Sequence, residues 1–182
     1  MNITRLAATG LTLLIVGGCA DGRDTTGPTD LELSRDGTAQ RPARAAQRVP
    51  ATGSFQALVD FSTLTLTPRG RNCLLVVDGQ LVFTGTIAGV ARGTTSALVF
   101  ASCEQVATTP PGTFRDVFRS ELVFEGTVDG KPARAKVLYT GGVEPGGAIN
   151  GRLIFSRGIA GELRARAVVA VGGTYRGAVV VN

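Results

Sequence analysis

Nearly the same ten residues recur three times in this chain: QLVFTGTIAG at 80–89, ELVFEGTVDG at 121–130 and RLIFSRGIAG at 152–161. Alternate residues of a β-strand point to opposite faces. In the first copy Leu81, Phe83, Gly85 and Ile87 therefore share one face, and Gln80, Val82, Thr84 and Thr86 the other. In the second, Leu122, Phe124, Gly126 and Val128 lie opposite Glu121, Val123, Glu125 and Thr127. The third keeps Leu153 and Phe155 but has Arg157 where the others have glycine, so its strand is expected to end near Ser156. Each copy reads as a strand with one dry face and one mostly polar face.

The copies are unevenly spaced, which argues against a solenoid of fixed period. An up-and-down antiparallel sheet makes the same demand on several strands without a fixed repeat. Strands are expected over 54–67, 72–89, 93–104, 114–128, 132–142, 147–156, 161–171 and 174–181. Turn signals fall at Pro68-Arg69-Gly70, from Gly89 to Gly93, and at Pro110-Pro111-Gly112, Asp129-Gly130, Pro145-Gly146-Gly147 and Gly172-Gly173. Asp78-Gly79 interrupts the second strand as a bulge or a separate turn. Such a sheet has two unpaired edges unless it closes. The expectation is an all-β domain at 53–182, an eight-stranded antiparallel up-and-down barrel, with a two-sheet sandwich as the alternative.

The amino-terminal residues read differently. Arg5, the apolar run LTLLIV, Gly17-Gly18 and Cys19 follow in the order of a bacterial lipoprotein signal peptide over 1–18. The expectation is lipidation of Cys19 and anchoring to a membrane of the bacterial cell envelope. Ala20 rather than aspartate after the cysteine favours the outer membrane. Residues 19–52 are rich in Asp, Gly, Thr, Pro, Arg and Ala without sustained periodicity, and read as a flexible linker.

With Cys19 set aside, Cys73 and Cys103 are a candidate disulfide, as export to an oxidising compartment favours. A plain hairpin of 72–89 with 93–104 would leave them six residues out of register, about 20 Å, so a bend at Asp78-Gly79 would have to bring Cys73 back.

Histidine is absent, which removes Ser-His and Cys-His nucleophiles and the usual general base. The sequence also lacks a P-loop, a G-x-S-x-G elbow and an H-E-x-x-H motif. No catalytic residue, metal or cofactor is assigned. The net charge of +5 comes without a basic run interleaved with aromatics, so nucleic acid is not expected as a partner. Polar groups with a claim on the lumen are Glu104, Asp116, Tyr139 and Tyr175. If Leu98 and Phe100 face inward, Glu104 follows by parity; the next strand places Phe114, Asp116 and Phe118 inward. A buried Glu104 or Asp116 could handle protons. The plainer reading leaves both at a wet rim and the tyrosines as core residues bonded to backbone.

The stretches FTGTIAG at 83–89, FEGTVDGKPARAKV at 124–137, IAGEL at 159–163 and GGTYRGAVVV at 172–181 resemble a bacterial family of domains of unknown function allied to the allene oxide cyclase barrel. The resemblance covers roughly residues 53–182. It implies an eight-stranded barrel; the plant cyclases of that fold steer ring closure of an unsaturated fatty-acid epoxide inside the lumen. None of their catalytic residues has a match here. Two functions follow as expectations. One is a non-catalytic, membrane-anchored envelope lipoprotein whose barrel binds a small apolar ligand or a protein partner. The other is a cyclase or isomerase acting on an apolar substrate.

Overall fold

The computed structural model describes residues 46–181. Eight antiparallel strands close into a barrel in chain order, each bonded to its neighbours in sequence and the last to the first. They are β1 (Gln47–Arg69), β2 (Asn72–Gly85), β3 (Ile87–Val99), β4 (Asp116–Val128), β5 (Lys131–Val143), β6 (Ala148–Ser156), β7 (Ile159–Val168) and β8 (Gly172–Val181). A single short helix, α1 (Cys103–Thr108), lies between β3 and β4.

The dry faces of the three repeats turn inward. Leu81, Phe83 and Ile87, then Leu122, Phe124 and Val128, then Leu153 and Phe155 are all buried in one core. Phe83 is its hub, with ring centroids 5.7 Å from Phe55, 6.0 Å from Phe124 and 6.3 Å from Phe155. Tilted and edge-on aromatic pairs at such separations add stability beyond their buried area.

The barrel begins earlier than expected. β1 starts at Gln47, so residues 47–52 belong to the wall and not to a linker. Val49 and Ala51 point into the core, and the segment pairs with β8 from Gln47↔Val181 to Thr52↔Arg176. Without it β8 would keep only the four pairs from Gly53↔Tyr175 to Gln56↔Gly172, and the rest of its edge would be bare.

The second hairpin turns at Thr86, between β2 and β3, and not at Gly89–Gly93. Both of those glycines sit inside β3, facing β4. A Cβ at Gly89 would stand 2.4 Å from the Glu125 carbonyl oxygen, and one at Gly93 2.1 Å from that of Glu121. They are close-approach glycines of a tightly coiled strand, and a close-approach glycine and a turn glycine look alike in a sequence.

The irregularity expected at Asp78-Gly79 falls on the opposite strand. β2 runs unbroken, while β1 carries extra residues between Asp60, paired with Asp78, and Thr65, paired with Val76. Asp60 Oδ1 accepts from the Ser62 amide at 3.0 Å and from its hydroxyl at 2.5 Å. The Thr63 hydroxyl donates to the Asp60 carbonyl and accepts from the Asp78 amide. This bulge throws Phe61 and Leu64 toward one rim of the barrel.

The two ends of the barrel differ. One carries both ends of the described chain and the tight turns at Thr86, Asp129-Gly130 and Arg157-Gly158. The other carries α1 and the segments 109–115, 144–147 and 169–171. Gly146 N–H donates to the Gly112 carbonyl and Val169 N–H to the Gly147 carbonyl, both at 2.9 Å, which ties these segments together.

Candidate functional site

The core fills only the tight-turn half of the barrel. At the α1 end the interior is a cavity of about 370 Å³. Its wall is mostly apolar: Val77, Ala97, Val99, Phe118, Val143 and Ile149 come from the strands, and Val106 and Phe114 from the cap. The large inward residues cluster at the other end, whereas β3 offers only Thr95, Ala97 and Val99 here. Small side chains on β3 and the irregular stretch of β1 at Asp60–Thr65, whose Phe61 and Leu64 line the same space, leave it unfilled.

The cap is held at one end by covalent chemistry. Cys73, fully buried at the start of β2, is bonded to Cys103, the first residue of α1, with Cα atoms 4.8 Å apart. The turn at Thr86 makes this possible. With that register Cys73 lies opposite Val99, and four more residues curl Cys103 back over it. No bend in β2 is required. Around the bridge Cys73, Val99 and Ala101 form a second apolar cluster with Leu66, Leu75, Val106 and Phe114.

The helix displaces Glu104. Val99 and Ala97 point inward, not Leu98 and Phe100, and Phe100 is 46% exposed. Strand β3 stops at Val99, and Glu104 sits exposed in the first turn of α1, where a carboxylate complements the helix dipole. It is not a lumen residue. The signal for α1 was in the sequence: Ser102 caps the helix, accepting from the Gln105 amide, while the Gln105 side chain accepts from the Ser102 amide. That is a capping box, S-x-x-Q.

Asp116 is where the parity of β4 placed it. It faces the cavity, is 9% exposed, and its Oδ1 has no hydrogen-bond partner among the described residues. Burial raises its pKa from 3.8 to about 6. Deeper in, one inner row joins Thr95, Ser120 and Tyr139 across β3, β4 and β5. The Thr95 and Ser120 hydroxyls share a hydrogen bond of 2.7 Å. The sequence does not single out either, because serine and threonine on a strand look like wet-face residues. Tyr139 stands between the filled and hollow halves. Its ring meets Phe118 edge-on at 4.9 Å and Phe55 at 5.9 Å. Its hydroxyl, like Asp116 Oδ1, is buried without a partner among the described residues, and burial lifts its pKa well above the ordinary tyrosine value.

Tyr175 is different. Its hydroxyl accepts from the Ile87 amide at 2.9 Å and lies 3.0 and 3.1 Å from the carbonyl oxygens of Ile87 and Thr84, which share its one proton. Burial raises its pKa and the backbone bond to Ile87 opposes the rise. This tyrosine locks the β2–β3 turn at the filled end and offers nothing to the cavity.

Asp116 and the Thr95–Ser120–Tyr139 row thus mark two depths of one apolar cup. Asp116 lies four residues from Ser120 along β4, about 13 Å. Buried polar atoms are nearly always satisfied, and one left bare costs about 1–3 kcal/mol. The arrangement can accept a hydrogen bond at Asp116 and either give or take one at Tyr139. Among the described residues no group of His, Cys, Asp and Glu side chains is placed to hold a metal ion, and no helix is long and apolar enough to cross a membrane. Cys19 lies outside the described residues. In comparisons with known proteins, no family model matches the chain and no curated protein matches it.

Proposed function

We propose that the barrel is a non-catalytic binding domain that takes a small, mostly apolar molecule into the cavity beneath α1. The observation that carries this reading is the pairing of an apolar cup with two buried, unsatisfied polar atoms, Asp116 Oδ1 and the Tyr139 hydroxyl. A volume of about 370 Å³ falls at the small end of ligand cavities, roughly 300–1,000 Å³. The apolar wall supplies affinity, and the polar atoms orient a ligand bearing a hydroxyl, carbonyl or amide group. The signal-like residues 1–18 and Cys19 support a lipid-anchored protein of the bacterial envelope, and Ala20 favours the outer membrane.

The raised pKa of Asp116 favours a second reading, an isomerase or cyclase in which that carboxyl moves a proton on the bound molecule. Native mass spectrometry of the full chain purified from bacterial membranes tests binding, and chromatography with NMR of the released molecule, which separates isomers of equal mass, distinguishes the two readings. The binding reading expects an added mass of a few hundred daltons, recovered unchanged after incubation; the isomerase reading expects a product that differs from the ligand supplied. A chain that carries nothing and takes up no apolar probe overturns both.

A further inference from the structure

The outer face of the barrel carries a second feature, separate from the cavity. In the observed register Arg152 of β6 lies directly opposite Arg164 of β7, which lies directly opposite Arg176 of β8. Thr140 of β5 and Thr52 of β1 extend the same row at its two ends. Next to it Arg166 sits between Asn150 and Thr174. Strands are about 4.8 Å apart, so three guanidinium-bearing residues stand within about 10 Å and the whole row spans about 19 Å. Like charges directly opposite one another on a sheet are destabilising. Compensation is slight. Glu162 lies 3.6 Å from Arg152 with both side chains more than half exposed, a pairing worth little. Among the described residues Arg164, Arg166 and Arg176 have no acidic group within 4 Å.

The same wall is dished. Its inner face at this height is Gly141, Gly151, Ala165 and Gly53. A Cβ at Gly151 would stand 2.7 Å from Tyr139 Cε2, and one at Gly53 2.5 Å from the Tyr175 hydroxyl oxygen. The sheet therefore sinks onto the two tyrosines, and outside it leaves a groove of about 740 Å³ lined by the arginines, threonines and Asn150.

We propose that this groove binds an anionic oligosaccharide. Arg152, Arg164 and Arg176 grip its phosphate, sulfate or carboxylate groups through charge-assisted, bidentate hydrogen bonds. Thr52, Thr140, Asn150 and Thr174 meet its hydroxyls. An extended chain matches a row of this length better than a single small anion does. The concave shape disfavours a flat membrane surface, and the only aromatic residue in the groove lining, Tyr175, is buried and cannot stack on bases.

The test is a titration of the full chain with a heparin hexasaccharide, with anionic phosphatidylglycerol vesicles and with single-stranded DNA as parallel arms. The hexasaccharide is expected to bind at low salt, to weaken as salt rises, and to bind at least about tenfold more weakly to the Arg164→Gln/Arg176→Gln double variant. An Arg69→Gln/Arg92→Gln variant, which removes the same charge elsewhere, is expected to bind as the parent does. Both pairs are exposed, and an unchanged circular dichroism spectrum confirms that each variant folds. Equal losses in the two variants, no hexasaccharide binding, or vesicle or DNA binding that exceeds it would each overturn the proposal.

Discussion

The Tyr175 hydroxyl closes a hydrogen-bonded loop with one residue, accepting from the Ile87 amide at 2.9 Å and donating to the Ile87 carbonyl at 3.0 Å. Eighty-eight residues separate the two in sequence. The contact fastens the β2–β3 turn to β8 across the filled end of the barrel. It also explains why the two tyrosines in the chain have opposite roles. One hydroxyl is committed to backbone, and the other faces the cavity without a hydrogen-bond partner among the described residues.

Tyr175→Phe strands a buried amide, and is expected to cost about 2 kcal/mol. Tyr139→Phe removes an oxygen that has no partner among the described residues, and is expected to leave stability unchanged or slightly raised. Urea denaturation of the two variants reads the difference directly. Equal losses would show that the Tyr139 hydroxyl is satisfied in solution.

Asp116 gives the fold a pH dependence of defined sign. Its pKa is about 6 in the barrel against 3.8 unperturbed, so the folded state holds the proton more tightly than the unfolded chain does. Its contribution to stability is full below pH 4, is lost as pH rises through about 6, and is level above that. Because the cavity opens toward water at its rim, the loss is discounted to about 1–2 kcal/mol. Asp116→Asn, which cannot ionise, is expected to match the parent near pH 4 and exceed it near pH 8. Chemical denaturation at the two pH values measures this; a variant no more stable at pH 8 would place the carboxylate in bulk-like water.

Much of this architecture is legible in the residues. Alternation at Leu81, Phe83, Leu122, Phe124, Leu153 and Phe155 identifies the inner face, and the absence of helical periodicity over most of the domain leaves closure as the way to bury strand edges. The register of β3 is not legible, because Gly89 and Gly93 satisfy turn chemistry and close packing equally well. That ambiguity places the hairpin turn wrongly, reverses the facing of Leu98 and Phe100, and carries Glu104 into the lumen. The parity of β4, free of interior glycines before Gly126, places Asp116 correctly. The cavity itself cannot be read from one strand. It arises where small residues of β3, the β1 bulge and α1 meet, all far apart in sequence.

The Cys73–Cys103 bond closes a loop across a sequence separation of 30 residues. In the chain-entropy account such a link stabilises by about 3–4 kcal/mol. A Cys73→Ser/Cys103→Ser variant is expected to lose stability on that scale, with the added effect confined to the cap. Hydrogen exchange at α1 should quicken far more than at β6 and β7, whose bonds do not depend on the bridge. Uniform quickening throughout the barrel would mean that the bond supports the whole sheet rather than the cap.

Filling the cup separates binding from folding. Ala97 lines the cavity, is 7% exposed, and lies opposite Leu75 on β2 and Phe118 on β4. A leucine there extends into empty space and not into a neighbour. Burying its added methylenes contributes about 0.8 kcal/mol each where they displace nothing else, so Ala97→Leu is expected to melt at or above the parent temperature. The same side chain occupies room that a ligand needs, and uptake of an apolar probe is expected to fall at least about tenfold, the change expected from roughly 1.4 kcal/mol of lost contact. Thermal melting and fluorescence titration with the same preparation give both readings. Undiminished uptake in a variant that remains folded would place the bound molecule outside the barrel, and the interior would then be a packing gap and not a site.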